Sequence, residues 1–441
     1  MIHRRRILSV LAVAVITGLL ALGMAPALAL GVTPGMTPDT GCDTVRGKVY
    51  SLVETSDHST LYVGGKFSRV GQSGEHPYFP VSLARFDEAT CLGDPSWTPQ
   101  VFESDGTEPG TVNGMALSPD GSTLYVVGKF ALACPSPVGS ACETRKNLAA
   151  FDTGTGALQP ISENIANQVD TVLLASSDDV VTKIYIGGPF KRINGKPAGR
   201  LAALDPDGSV DTTWDPQADN TVRTLVWAAD GNSIFAGGSF KSITEGGTTY
   251  PREAVARLNP VGASPIVNAW TIPAGVIPVP MTAWSLTPSP DGTTLYGGFG
   301  AGPNFAAAFR LDDGPVGDQI WRRSTTGNVE STALSPDGAG LFISGHFGTA
   351  HKSEQICSGV SAHGLAEINL STAPTIKYFC WAPHLLPDSL NFTAGWTLLV
   401  NPTYLWLAGS FDQICTPDGV TTCVPAGPPG TTSMNIARFT L

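Results

Sequence analysis

Beyond the first thirty residues, the hydrophobic positions of this chain fall into short apolar runs separated by polar turns. The clearest runs are residues 61–67 (LYVGGKF), 124–130 (LYVVGKF), 184–190 (IYIGGPF) and 234–240 (IFAGGSF). Shorter or drifted copies end at Phe299, Phe347 and Phe411. A second run follows each after a polar loop, as in residues 83–87 (LARFD), 148–152 (LAAFD), 201–205 (LAALD) and 255–259 (VARLN). Large apolar residues there alternate with Ala or charge, the period-two signature of a half-buried strand.

Two further segments complete the repeating unit. One precedes the Gly-x-Phe run and starts near Val49, Val112, Val169, Val222, Ala283, Val329 and Thr393. The other follows the Leu-Ala-x-Leu/Phe-Asp run and is marked by Trp97, Trp214, Trp270, Trp321 and Trp381, with Gln159-Pro160 in the second copy. Between the first two segments stand turns such as Ser118-Pro119-Asp120-Gly121 and Ser289-Pro290-Asp291-Gly292. Pro fixes φ, Asp bonds its own turn backbone and Gly supplies positive φ. The motif glycines let backbones approach closely or admit a bulge. A unit of this size cannot cover its own apolar face, so its neighbours must. The prediction is an all-β fold, a seven-bladed β-propeller of four-stranded antiparallel blades. Residues 31–47 are expected to fold back as the outer strand of the seventh blade and close the ring. Blade five, which lacks the Gly-x-Phe spacing, has the least regular second strand.

Composition agrees with short strands: Gly (50) and Pro (35) are abundant, and charged residues are only 14%. The start of the chain is different. Arg4, Arg5 and Arg6 precede an apolar run, and Ala27-Leu28-Ala29 forms a small-x-small cleavage site. That order reads as a secretory signal peptide over 1–29, with the propeller over 30–441. The arginines also permit a twin-arginine route. Removing 1–29 leaves 23 basic against 37 acidic residues, a balance of −14. Nucleic acid is thereby disfavoured as a partner, since phosphate binding needs clustered Lys and Arg. With no second apolar span, the chain is expected to be secreted, extracellular and monomeric, with no membrane span after cleavage.

Eight cysteines in such a compartment argue for four disulfides, for which sequence alone allows about 105 connectivities. The repeat narrows them. Cys134 and Cys142 stand at the same offsets after Phe130 as Cys415 and Cys423 stand after Phe411, so both pairs read as local bridges. Elimination leaves Cys357–Cys380 and Cys42–Cys91, the latter tying the N-terminal segment to the first blade.

Candidate chemistry is sparse. No G-x-S-x-G elbow, EF-type loop or HExxH spacing occurs, and the glycines of 297–302 belong to the repeat rather than to a nucleotide fold. His346, His351, His363 and His384 cluster in the sixth copy without metal-ligand spacing. No catalytic or metal-binding residue and no cofactor is therefore assigned. On the first strands the ionisable residues are few, namely Asp170, Arg223 and Glu330, and Trp227, Trp284 and Trp396 read mainly as packing residues. Length variation concentrates in the loops that share one face, which is where binding residues tend to lie.

The unit V-x-x-[LM]…PDG…LYVGG-x-F…[IL]-A-[RA]-[LF]-[DN]…W resembles the delta-60 repeat of secreted bacterial β-propellers, and resembles more loosely the fungal cortical polarity marker repeat. The stretch 118–126 is similar to lactonase-type and surface-layer propellers. The resemblance implies a propeller and an extracellular address, and it carries over no catalytic residue. The expected function is a binding or interaction module for a protein or a cell-surface glycan. The alternatives are a hydrolase- or lyase-type propeller enzyme acting on a sugar or lactone at the central channel, and a structural cell-surface protein.

Overall fold

The structure is a computed structural model that describes residues 34–35, 37–71, 78–161, 164–311, 314–348, 363–372, 377–378, 381, 383–386, 393–416, 423–424 and 434–441. Its architecture is all-β apart from one 3-10 turn, Leu370–Thr372. No helix of the described residues is long and apolar enough to cross a membrane.

Among the described residues, seven antiparallel sheets share one order, first strand to second to third. Sheet I comprises Val45–Glu54, Thr60–Val70, Leu83–Asp87 and Leu92–Gly93. Sheets II, III and IV have first strands Thr111–Leu117, Thr171–Ser177 and Val222–Trp227, second strands Thr123–Lys129, Val180–Gly187 and Ile234–Gly238, and third strands Leu148–Asp152, Leu201–Leu204 and Val255–Leu258. Sheet V (Thr282–Pro288, Thr294–Gly300, Asn304–Arg310, Gln319–Thr325) and sheet VI (Val329–Leu334, Gly340–Gly345, Leu365–Asn369, Lys377–Tyr378) are four-stranded. Sheet VII holds Ala394–Val400, Tyr404–Ser410 and Ile436–Thr440. The second strand of sheet V is regular despite its drifted motif.

Two expectations need correction. The fourth strand of sheets II, III and IV shrinks to a single bridge: Phe151 with Leu158, Leu204 with Val210 and Leu258 with Val267. Trp214 and Trp270 follow these bridges in sheets III and IV and are buried. Among the described residues the N-terminal segment before Val45 does lie beside the last strand, yet it forms no strand, and residues 45–47 belong to the first strand of sheet I. The Asp39 amide donates to the Arg438 carbonyl, and the Asp39 carboxylate accepts from Arg438 Nε (2.7 Å) and Thr440 Oγ1. Pro34 and Pro38 lack the N–H groups that a longer ladder would need.

The core lies between sheets rather than within them. Seven apolar clusters each combine residues of two consecutive sheets, and one of them joins Val49, Leu61 and Phe86 of sheet I to Trp406, Ala408 and Ile436 of sheet VII. First strands likewise pack side by side in succession, that of sheet VII against that of sheet I. The repeat tryptophan is the wedge. Trp97, Trp214, Trp270 and Trp381 are buried and meet an aromatic of their own sheet edge-to-face: Tyr62 (5.2 Å), Tyr185 (5.0 Å), Phe235 (5.4 Å) and Phe342 (5.4 Å). Their indole N–H groups then donate outward, to the carbonyls of Asp152, Asn259 and Arg310 in the next sheet and, for Trp381, of Gly35. A buried indole with a partner keeps its packing gain without the cost of an orphaned donor.

Cys134 is bonded to Cys142, as expected from the repeat register, and Cys42 to Cys91, as expected by elimination. Cys415 is disulfide-bonded and stands opposite Cys423 in the ladder. Cys357 and Cys380 lie outside the described residues.

A carboxyl pair marks the joint of sheets I and VII. Asn401 Nδ2 donates to Glu54 Oε2 (2.8 Å) and Glu88 Oε2 (3.0 Å), His58 Nδ1 lies 3.0 Å from Glu54, and Arg438 donates to the Glu88 carbonyl. Burial, followed by the neighbouring Glu54, pushes the Glu88 carboxyl up to about 8. Glu88 therefore keeps its proton in the folded protein where the unfolded chain loses it. Its contribution to stability is complete below the ordinary Glu range and is lost as pH rises toward about 8. Thermal unfolding of the wild type relative to Glu88→Gln should show this, the gap closing in the variant's favour by at most about 1.4 kcal/mol per pH unit between pH 5 and pH 8. A second expectation concerns the wedge. In denaturant unfolding, Trp214→Ala should cost about 3–5 kcal/mol, whereas Trp214→Phe should cost clearly less because the ring contact survives and only the bond to Asn259 is lost.

Candidate binding site: a girdle of bulge residues

The first strand of nearly every sheet carries a bulge at the same register. It falls between Val49 and Ser51, Val112 and Gly114, Val222 and Thr224, Ala283 and Ser285, Val329 and Ser331, and Gly395 and Thr397. Sheet III places Asp170 equivalently, immediately before the Thr171–Gly187 pair. The last of these positions corrects the register expected for the seventh copy, whose counterpart of Val49 is Gly395 rather than Thr393. In five of these six sheets a motif glycine lies opposite the bulge, and in sheet V Phe299 takes that place. A Cβ at Gly65 would run into the carbonyl oxygen of Lys48, and one at Gly128 into that of Thr111, so at those sheets the bulged backbone fits over a bare Cα. A bulge re-aims the side chain it carries.

The residues so placed are Tyr50, Asn113, Asp170, Arg223, Trp284, Glu330 and Trp396, near the start of their strands and on the side of the variable loops. They touch from sheet to sheet. Tyr50 packs on Trp396 at 5.8 Å. Asn113 Nδ2 donates to the Val169 carbonyl (3.1 Å) and to Asp170 Oδ1 (3.4 Å), to which Gln168 Nε2 also donates (2.7 Å). Arg223 donates to Asp170 Oδ2 (2.7 Å) and lies over the Trp284 ring at 5.1 Å. Glu330 Oε1 meets Asn328 Nδ2 (3.0 Å) and His346 Nδ1 (3.1 Å).

These contacts are layered. The Asp170 and Glu330 side chains are 7% and 4% exposed, whereas their partners Arg223 and His346 are 30% and 31% exposed. Burial raises the Asp170 carboxyl above its ordinary range, against the opposing pull of Arg223. Each carboxylate thus sits beneath a cationic or potentially cationic donor and fixes its direction. The girdle offers half-exposed aromatic faces beside held hydrogen-bond donors, an arrangement suited to gripping a ligand.

The sequence singled out Asp170, Arg223, Glu330, Trp284 and Trp396 without joining them, and it missed Tyr50 and Asn113. The residue after each first-strand Val was the available signal. Trp227 does not join the girdle: it lies at the far end of its strand, donating to the Leu174 carbonyl (2.8 Å) and packing on Tyr185. The histidines separate. His346 pairs with Glu330, His363 and His384 pack together at 4.4 Å, and His351 lies outside the described residues. Among the described residues no group of three or more His, Cys, Asp or Glu side chains is arranged to hold a metal.

The variable loops hold more order than their lengths promised. Links between repeats pair with the hairpin of the following repeat to make small three-stranded sheets: Gln100–Phe102 with Leu132–Cys134 and Glu143–Thr144, Ile165–Ala166 with Arg192–Ile193 and Lys196–Pro197, and Gln217–Ala218 with Ser242–Glu245 and Thr248–Pro251. His384–Leu386, Gln413–Cys415 and Cys423–Val424 form a fourth. Asn194-Gly195 and Gly246-Gly247, all at positive φ, turn two of these hairpins. At the opposite end of the first strands, a cavity of about 710 Å³ opens between the turns of sheets I and II, with Glu54, Asp57, Met115 and Asp120 in its wall.

A family model described as "Domain of unknown function (DUF5122) beta-propeller" matches residues 183–213, from the second strand of sheet III to the segment before Trp214. No curated protein matches. Among solved structures, the chain is similar to the β-propeller domain of Myceliophteria thermophila Cps50 (Swd1), at 11% identity and a TM-score of 0.50, covering 83% of this chain and 94% of that one. It is also similar to the WD40 β-propeller domain of Doa1 (10% identity, TM-score 0.48, covering 92% and 97%). For the extracellular domain of the putative one-component system BT4673 from B. thetaiotaomicron, the figures are 12% identity, TM-score 0.48 and coverage of 86% and 39%.

Proposed function

The fold is a β-propeller, and we propose that this chain is a secreted, extracellular binding module whose ligand, a protein or a cell-surface glycan, docks at the girdle. In this reading residues 1–29 are a cleaved signal peptide, and the seven sheets are the seven blades of a closed propeller of the delta-60 repeat type. The N-terminal segment and Cys42–Cys91 tie the ends of the ring. Cys357–Cys380 and Cys415–Cys423 complete the set of four disulfides, and non-reducing peptide mapping of the secreted chain should recover both. The observation that carries the functional reading is the girdle itself: one side chain per sheet, turned out of the packing at a common register, beside loops stiffened by small sheets and a disulfide. Preorganised loops lose less entropy on binding.

A second reading has its own support. Asp170, Arg223, Glu330 and His346 converge on the same end of the first strands, as a hydrolase or lyase acting on a sugar or lactone would need. One experiment separates the two. Affinity capture and a glycan array with the secreted chain should yield a ligand whose affinity falls about tenfold or more in Trp396→Ala, a loss typical of a buried aromatic anchor. Turnover in a hydrolase and lyase screen, with no ligand retained, would decide for the enzyme.

A further inference from the structure

The chemistry of the girdle narrows the ligand class, on the premise that the girdle is the binding site. We propose that it binds a neutral glycan, with one pyranose ring laid on Trp284 and its hydroxyl oxygens accepting hydrogen bonds from Arg223. Three observations lead there.

First, the girdle is aromatic on three of its seven positions, Tyr50, Trp284 and Trp396, and all three are partly exposed rather than sealed in the core. A pyranose presents a C–H face of about the size of an indole, and its C–H bonds meet the negative face of the ring favourably. A peptide ligand would be met better by a deep apolar pocket for an anchor side chain than by open ring faces.

Second, the donors are electrostatically spent. Arg223 is answered by the buried Asp170 at 2.7 Å, and His346 by the buried Glu330 at 3.1 Å. An anionic sugar would need a cation whose charge is not already balanced, and the side chains bonded to the two buried carboxyls besides Arg223 and His346, namely Asn113, Gln168 and Asn328, are neutral amides. The mature chain as a whole is acidic as well. Balanced pairs still give directed hydrogen bonds to hydroxyl oxygens, which is what a neutral sugar asks for.

Third, Arg223 on sheet IV stands beside Trp284 on sheet V, its guanidinium over one face of the ring at 5.1 Å. A fixed donor beside the platform orients a ring lying on its other face.

The test uses the secreted chain with cellohexaose, mannohexaose and hexa-N-acetylchitohexaose as neutral probes and hexagalacturonate as the anionic one, read by tryptophan fluorescence and calorimetry. At least one neutral hexamer should bind and hexagalacturonate should not. Trp284→Ala should weaken binding more than tenfold, Trp284→Phe by only a few-fold, and Arg223→Lys by about fivefold, with unfolding temperatures near that of the wild type. If Trp284→Ala fails to fold, Trp284→Phe and Arg223→Lys carry the test. Tighter binding of hexagalacturonate, or neutral binding unchanged in Arg223→Lys and every folded Trp284 variant, overturns the proposal. If no hexamer binds while a captured protein ligand is lost in Trp396→Ala, the glycan is wrong and the girdle stands. If no ligand of either class depends on the girdle, both readings fall.

Discussion

No sheet of this protein is large enough to bury both of its faces, and everything else follows from how neighbours share that burden. Apolar residues of each sheet face both adjoining sheets, so the seven clusters sit in the spaces between sheets. The repeat tryptophan secures that space at its outer edge. Its ring packs on an aromatic of its own sheet while its N–H reaches a carbonyl of the next, so one side chain joins two repeats. The apolar contact supplies most of the free energy and the hydrogen bond sets the angle and spacing. At the end of the chain the same device works on a different partner, since Trp381 donates to Gly35 of the N-terminal segment.

Most of this was legible because packing and turn chemistry recur. Alternating residues such as Leu83, Arg85 and Phe86 announce a strand, Asp120-Gly121 announces a turn, and equal offsets from Phe130 and Phe411 place cysteines. The reading faltered at the outer strands. Proline at positions 34 and 38 denied the N-terminal segment a ladder, and the fourth strands of sheets II, III and IV shortened to single bridges. The small sheets over the variable face were announced by Asn194-Gly195 and Gly246-Gly247, but lay hidden in segments whose lengths differ from copy to copy.

The candidate site was harder to see for a reason rooted in its construction. Its residues share a position and nothing else: Tyr, Asn, Asp, Arg, Trp, Glu and Trp occupy the seven equivalent positions, six of them bulges. A search for repeated residues passes over them, and a search for a motif finds no spacing within one segment. The contacts that unite them, such as Asp170 with Arg223 and Tyr50 with Trp396, cross from one sheet to another and exist only in the assembled fold.

The glycine beneath five of the bulges has a consequence beyond geometry. Because the outward turn of the girdle residue there comes from a close backbone approach that a bare Cα permits, it owes little to the identity of that residue. The scaffold thereby behaves as a socket with interchangeable pins. Packing is inherited from the repeat, while the seven pins are free to drift one at a time, and recognition could be rewritten across the ring without a single core residue changing.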